Sequence, residues 1–512
     1  MQRKKLTLVI VSLLVVVLSV SLAYFTAQII GNGKDVSVTS TNLQIVFTDT
    51  DGEIAGADIE PGWQKTKTFT VQNNSKSEYK YNIVIKDLLN TFVTNGYLKY
   101  KITSTNNGYN MTEYKDVPKS NVSTDKILAY SVVIPKSVTQ TYTIEFRYLN
   151  DEDVDQGDDM GKVLKGTLFI TEGTEQPTLL SQILTDNPTR STRSNNINGT
   201  NDFAIPLTTT TTGTLFTSTE SITGKTTSPK DVYYYAGNTT NNWVKFANLY
   251  WRIIRTNHDS SIRLLYVGTS HDTTTGNIGT SKFNTNYNSP KYVGYKYGED
   301  TSLDTIRNNT TDSTIKTFID SWYQNNLINY TKYLSTSAVY CNDRSEGTGQ
   351  TYNYSSSPSS QFNFASYYRL DINTKGAKAN PSYNCTDIRD AFSVDNTSAK
   401  LTYPVSLMTA DEIAFAGGVT FKKMNTPYAW FIRNSAGSQV STQWWSLSPA
   451  FWNEIGSLVW YWNSDLAYLV NYFVDSSYAV RPAISLKSCI KYSTGNGTYE
   501  TPYEIVETSS GC

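Results

Sequence analysis

Residues 443–487, QWWSLSPAFWNEIGSLVWYWNSDLAYLVNYFVDSSYAVRPAISLK, set the tightest limit on what this chain can fold into. Five of its ten tryptophans fall here. Trp460 and Trp462, then Tyr468, Val470 and Tyr472, then Val480 and residues 483–486 follow the period of strands. Turn residues interrupt them at Ser448-Pro449, Asn463-Ser464-Asp465 and Asp475-Ser476-Ser477. The pattern predicts a meander of short strands closing a fold. Tryptophans in such a segment suit either a packed core or a binding face. The sharper expectation is the face, because Trp452-Asn453-Glu454 and residues 460–465 set rings beside amides and carboxylates. That composition gives rigid contact area with adaptable hydrogen bonds. The expected ligand contacts are Trp452, Asn453, Glu454, Trp460, Trp462, Asn463, Asp465, Tyr468, Asn471 and Tyr472.

WWSLSP, a meander and VRPAISL together resemble the C-terminal signature of a domain of secreted Firmicutes proteins. That domain is related to the formylglycine-generating-enzyme branch of the C-type-lectin-like fold. Four further pieces carry the resemblance: residues 233–255 (YYYAGNTTNNWVKFANLYWRIIR), Cys341-Asn342-Asp343-Arg344, residues 401–418 (LTYPVSLMTADEIAFAGG) and residues 495–506 (GNGTYETPYEIV). The resemblance spans about residues 231 to 507 and implies an α+β C-type-lectin-like domain in an extracellular setting. Formylglycine-generating relatives oxidise cysteine with a reactive Cys pair in the C-terminal core. Here the cysteines flank loops or the tail, which argues against an enzyme. The Trp-Asn-Asp triplet of calcium-dependent lectins is interrupted at Trp462-Asn463-Ser464-Asp465, which argues against calcium-mediated sugar binding.

At 512 residues the chain has room for two or three domains. Its net charge of -1, with no basic stripe, lacks the electrostatic footprint of a nucleic-acid binder. Two histidines, His258 and His271, lie in polar, turn-like sequence and build no zinc or redox-metal site. Four cysteines in the last third read as disulfides in an exported chain. The favoured pairing is Cys341 with Cys385 and Cys489 with Cys512, other pairings remaining open.

Residues 1–30 read as a signal peptide or an N-terminal membrane anchor, with Arg3, Lys4 and Lys5 before an apolar run. Positive-inside orientation places the rest outside. Residues 36–172 carry seven or eight short alternating segments and predict a β-sandwich of Ig-like type. AYFTAQI (23–29) and residues 59–85 resemble camelysin-like and biofilm-fibre proteins of Gram-positive bacteria, which implies a stalk or a fibre-assembly module. Asp151, Asp153, Asp155 and Asp159 form the one candidate metal site, for calcium, although Gln156 and Lys162 break the EF-hand pattern. Residues 173–212 read as a Thr/Ser-rich linker with a short helix near 177–184. The lectin-like domain is expected over 213–507, with a tail at 508–512.

Inside that domain, residues 243–256 and 262–267 predict a hairpin, and residues 312–325 a helix with Ile315, Phe318, Ile319 and Trp322 on one face. A second helix has Thr409 as N-cap, Glu412 as its capping-box partner and Gly417-Gly418 as its stop. This gives Asp411 and Glu412 a structural role. The expectation is an adhesin or receptor whose C-terminal head contacts a carbohydrate or protein. The alternative is a structural subunit of an extracellular fibre assembled through the N-terminal sandwich.

Overall fold

A computed structural model of the chain describes residues 36–40, 43–49, 53–55, 59–94, 96–196, 200–352, 361–373, 379–441 and 443–512. The export segment expected at 1–30 lies outside them. Among the described residues no helix is long and apolar enough to cross a membrane. The chain is predominantly β and divides into two compact units, residues 1–176 and 177–512.

The first unit consists of β1 (Val36–Ser40), β2 (Leu43–Asp49), β3 (Glu53–Ala55), β4 (Gln64–Asn73), β5 (Tyr79–Asn90), β6 (Leu98–Ser104), β7 (Lys115–Asp116), β8 (Ser120–Ile134), β9 (Thr139–Tyr148) and β10 (Leu164–Glu172). They form two antiparallel sheets, β1-β2-β4-β9-β6-β7 and β3-β10-β5-β8. Every second residue of β9 is buried, so Tyr142, Ile144, Phe146 and Tyr148 face inward. They join Tyr81, Ile83 and Ile85 of β5 and Leu168 and Ile170 of β10 in one core fed by both sheets.

The second unit begins with residues that the sequence assigns to a linker. Helix Leu179–Asp186, capped by Thr178, sends Leu179 and Ile183 into the main core. Strand Thr189–Ser191 pairs in parallel with Thr214–Glu220, and Phe203 packs in an aromatic cluster with Tyr234, Tyr383 and Phe415. The linker expectation is therefore corrected for residues 177–212. A few well-spaced apolar residues suffice to fix a Thr-rich segment that composition makes look unanchored.

A ten-stranded sheet runs through this unit. The single strand expected over 243–256 is two, Trp243–Phe246 and Leu249–Thr256, joined by Ala247 and Asn248 at φ 57° and 59°. Two consecutive positive φ values make the tight turn that matches strand twist. Leu249–Thr256 then pairs with Ile262–Gly268 as expected. Helix Thr314–Asn326 starts from Ser313 and buries Ile315, Ile319 and Tyr323, with Phe318 and Trp322 partly covered. Helix Ala410–Phe415 has the expected capping box, Thr409 Oγ1 accepting from Glu412 N–H while Glu412 accepts from Thr409 N–H.

Buried ion pairs tie these elements together. Arg255 bridges Glu220 and Glu412, each at 2.8 Å, and Arg263 reaches Glu412 at 2.5 Å. The Cys341-Asn342-Asp343-Arg344 stretch is a second hub. Asn342 donates to the carbonyls of Val293 and Leu447, Asp343 pairs with Arg369, and Arg344 pairs with Asp390. Arg369 also holds Asp411, so both carboxylates of the short helix serve the fold. Arg481 of VRPAISL donates to the carbonyls of Phe431 and Tyr266 above the Trp444 ring, and burial pushes its guanidinium down to about 9.

Disulfides Cys341–Cys385 and Cys489–Cys512 are both closed, as expected for an oxidising, extracellular environment. The first bridges positions 44 apart, which in the chain-entropy account removes about 4 kcal/mol from the unfolded state.

Burial alone would raise the Glu220 carboxyl, but Arg255 and His258 outweigh it and hold it near 2. Asp343 and Glu412 are lowered in the same way, with arginines overcoming burial. Folded values below the unfolded ones (about 4.3 for Glu, 3.9 for Asp) mean that this stabilisation is complete above about pH 5 and lost as pH falls toward 2. Melting temperature is expected to drop steeply between pH 4 and pH 2, as checked by calorimetry across that range. A flat profile would contradict the role given to these pairs.

Candidate functional site

The tryptophan-rich segment supplies the central strands of the second sheet. Its order is Thr280–Lys282, Ser477–Ala479, Gln443–Trp452, Ser457–Asn463 and Tyr468–Phe473, with Phe362–Asn363 also pairing with Gln443–Trp452. The last strand of the expected meander, Pro482–Leu486, leaves this sheet and pairs with Ile262–Gly268 and Val405–Leu407 in the other.

Register sorts the aromatic residues onto two faces. Trp444 lies opposite Trp462, while Trp445 lies opposite Tyr461. Successive residues of a strand point to opposite sides, so Trp444, Trp460 and Trp462 share one face and Trp445, Tyr461 and Tyr478 the other. The first face is core. Trp460 stacks on Tyr367 at 5.5 Å, and Phe431 meets Trp462 edge-on at 4.9 Å.

Trp452, Trp460 and Trp462 are 1%, 0% and 0% exposed, and their indole N–H groups have no hydrogen-bond partner among the described residues. The expectation that these three contact a ligand is corrected. All three contribute buried area: strand parity sends Trp460 and Trp462 to the core face, while Trp452, opposite Ser457, is buried on the other side of the sheet. Asn463 is buried too, and its side chain accepts from the N–H groups of Asp465 and Leu466 to make the turn. Asn453 does the same for Ile455 and Gly456. Glu454, Asp465 and Tyr472 are exposed, and Asn453, Tyr468 and Asn471 are half-buried.

The opposite face is tyrosine-rich. Tyr461 and Tyr478 stack with ring centroids 4.4 Å apart and planes 17° from parallel. Tyr472, 45% exposed, lies 5.9 Å from Tyr478 and 6.3 Å from Tyr461. Trp445 forms the floor, 4.8 Å from Tyr478, its indole fixed by donation to Ser281 carbonyl at 2.9 Å. Burial, and then Tyr461, push the Tyr478 phenol well up, so it stays a neutral donor at any physiological pH.

Ser281 pairs with Tyr478 and also lines an open groove of about 560 Å³. The groove wall mixes hydroxyls and amides, including Asn284, Thr285, Asn286 and Thr317, with the rings of Tyr297 and Phe318. Its one carboxylate, Asp312, is neutralised by Lys296 at 3.0 Å and Lys316 at 3.1 Å. Burial opposes its charge, but these lysines hold its carboxyl below the usual range. The site thus combines flat aromatic area with neutral donors and acceptors. Sequence reasoning missed Tyr461, Tyr478 and the groove residues. The parity of Tyr461 against Trp460 and Trp462 was the available signal.

The aspartates considered for calcium have other duties. Asp159 is buried and accepts from Val93 N–H, Thr94 N–H and the Tyr148 hydroxyl at 2.7 Å. Asp151 accepts from the Tyr97 hydroxyl, and Asp155 from Gly157 N–H. Among the described residues no cluster of His, Cys, Asp or Glu is arranged to hold a metal ion. The expected site at Asp151, Asp153, Asp155 and Asp159 is therefore corrected to a hydrogen-bonded turn. His258 pairs with Glu220, and His271 contacts Ser435 and the ring of Tyr250.

No family model, curated protein or solved structure matches this chain.

Two outcomes are expected. Trp462→Ala should cost about 3–5 kcal/mol of stability as a buried cavity, while Tyr472→Ala should stay within about 0.5 kcal/mol as a surface change, both read by urea unfolding. Asp159→Ala should cost about 1–3 kcal/mol through two unsatisfied N–H groups, and calcium should leave the wild-type melting temperature unchanged.

Proposed function

We propose that this chain is an extracellular, surface-displayed binding protein whose second unit contacts a carbohydrate or protein ligand through the tyrosine face and its adjoining groove. The observation that carries this reading is Tyr472, held exposed beside the Tyr461–Tyr478 stack over the buried Trp445 floor. Tyrosine rings offer a large amphipathic surface at low conformational-entropy cost, which is why they concentrate in binding faces. The rings are already packed against each other, so little freedom is lost when a ligand arrives. Groove hydroxyls and amides match either sugar hydroxyls or peptide groups.

The closed disulfides support an exported setting, reached through the N-terminal apolar segment. The motif resemblance of residues 231–507 supports a C-type-lectin-like plan for the head. The two-sheet core of the first unit supports an Ig-like sandwich that carries it.

The test is binding of the full chain to a glycan array and to cell-wall fragments, with and without calcium, beside Tyr472→Ala. Saturable binding independent of calcium, weakened tenfold or more (about 1.4 kcal/mol) in a variant of unchanged melting temperature, is the expected outcome. Binding unaffected by Tyr472→Ala would reject the tyrosine face.

A further inference from the structure

Strand Tyr468–Phe473 is the edge of the second sheet, and the chain covers only half of it. Val474 N–H donates to Ser457 carbonyl, so residues 468, 470 and 472 turn their backbone groups toward Ser457–Asn463. Residues 469, 471 and 473 turn theirs outward. Leu469 is satisfied by the chain itself: its N–H donates to Val419 carbonyl and its carbonyl accepts from Phe421 N–H, in a parallel bridge with Thr420. Phe421, at φ 52°, then turns that segment away. Beyond it the Asn471 N–H, the Asn471 carbonyl and the Phe473 N–H have no partner among the described residues.

Two further observations single out this edge. Among the described residues of the second unit six large hydrophobic side chains are exposed, and four of them, Tyr287, Ile455, Leu466 and Tyr472, border this strand. Leu466 precedes the strand. Ile455 lies in the turn beside its far end, and Tyr287 packs with Phe473 around Gly456. At that far end the carboxylates of Glu454 and Asp475 have no ion-pair partner among the described residues.

From these we infer that the open half of strand Tyr468–Phe473 accepts an extended peptide of a partner protein as an added strand, one with alternating β-branched or aromatic residues and lysine or arginine at one end. The inference rests on the binding reading above and names a partner for this end of the same sheet. The chain's own segment Val419-Thr420-Phe421 shows that this edge takes an extended backbone running parallel to it. A partner that continues where it leaves off gains main-chain hydrogen bonds from Asn471 and Phe473 and side-chain contacts with Tyr472 and Ile455. Glu454 and Asp475 then set the basic preference and the register. An exposed apolar edge invites such pairing, and proteins that avoid it place charge or proline on the strand itself. Residues 468–473 contain neither.

The test uses the full chain and an array of ten-residue peptides that alternate valine, threonine or phenylalanine with polar residues and carry two terminal lysines. Binding to hits is measured by fluorescence anisotropy. Three results are expected. Methylation of alternate peptide nitrogens weakens binding at least tenfold with side chains unchanged. Asn471→Pro, which removes an outward donor that the sheet does not use, does the same without lowering the melting temperature. Glu454→Gln with Asp475→Asn weakens lysine-bearing peptides severalfold and reduces the salt dependence. No hit in the array, or hits indifferent to both backbone changes, would overturn the inference. Association of the chain with itself that Asn471→Pro abolishes, without peptide binding, would also overturn it, by assigning the edge to a second copy. Cell-wall or glycan binding that survives Asn471→Pro leaves the tyrosine-face reading standing whatever the peptides do, so the two can fail separately.

Discussion

The second unit depends on a guanidinium placed where water cannot reach it. Arg255 is buried between Glu220 and Glu412, and Glu412 also takes Arg263. These four side chains come from three strands of the ten-stranded sheet and from helix Ala410–Phe415. Removing one partner would leave an uncompensated charge in a low-dielectric interior, which costs far more than an exposed pair is worth. The network therefore enforces one mutual placement of sheet and helix. That placement positions the loop after the helix, whose residues 419–421 lie along the edge of the second sheet. The disulfide Cys341–Cys385 works alongside it by holding the excursion that brings Arg369 to Asp343 and Asp411.

Element type was legible where a period was strong. Alternation in residues 142–148 appears as the buried face of β9, and the capping box at Thr409 forms as written. Two misreadings share a cause, the dominance of a few tertiary contacts over local composition. Residues 177–212 look like linker because threonine, serine and asparagine outnumber apolar residues. Leu179, Ile183 and Phe203 nevertheless meet a core built far along the chain. Asp159 looks like a calcium ligand because aspartates precede it, yet backbone donors of Val93 and Thr94 claim its carboxylate. Neither partner lies nearby in sequence.

The candidate site was half legible. The right segment was evident from its aromatic density, and Tyr472 belongs to both the expected and the observed face. The choice of tryptophan over tyrosine failed because chemistry was weighed without parity. Trp460 and Trp462 alternate with Tyr461, so they point to opposite faces; all three are buried, and it is Tyr461 that lies beside the exposed ring of Tyr472. The larger, less polar ring gains more from burial, and the indoles go inward. Tyr478 and the Ser281 groove come from other strands and could be joined to the site only through three-dimensional pairing.

The central claim is that the tyrosine face meets the ligand while the tryptophan face is core. Hydroxyl-radical footprinting of the full chain, free and bound to the cell-wall fraction it retains, tests this most directly. The account predicts modification of Tyr472 and Tyr287 in the free protein, protection of Tyr472 on binding, and no modification of Trp460 or Trp462 in either state. Modification of Trp460 and Trp462 that disappears on binding would contradict it, as would a protected surface that leaves Tyr472 fully reactive.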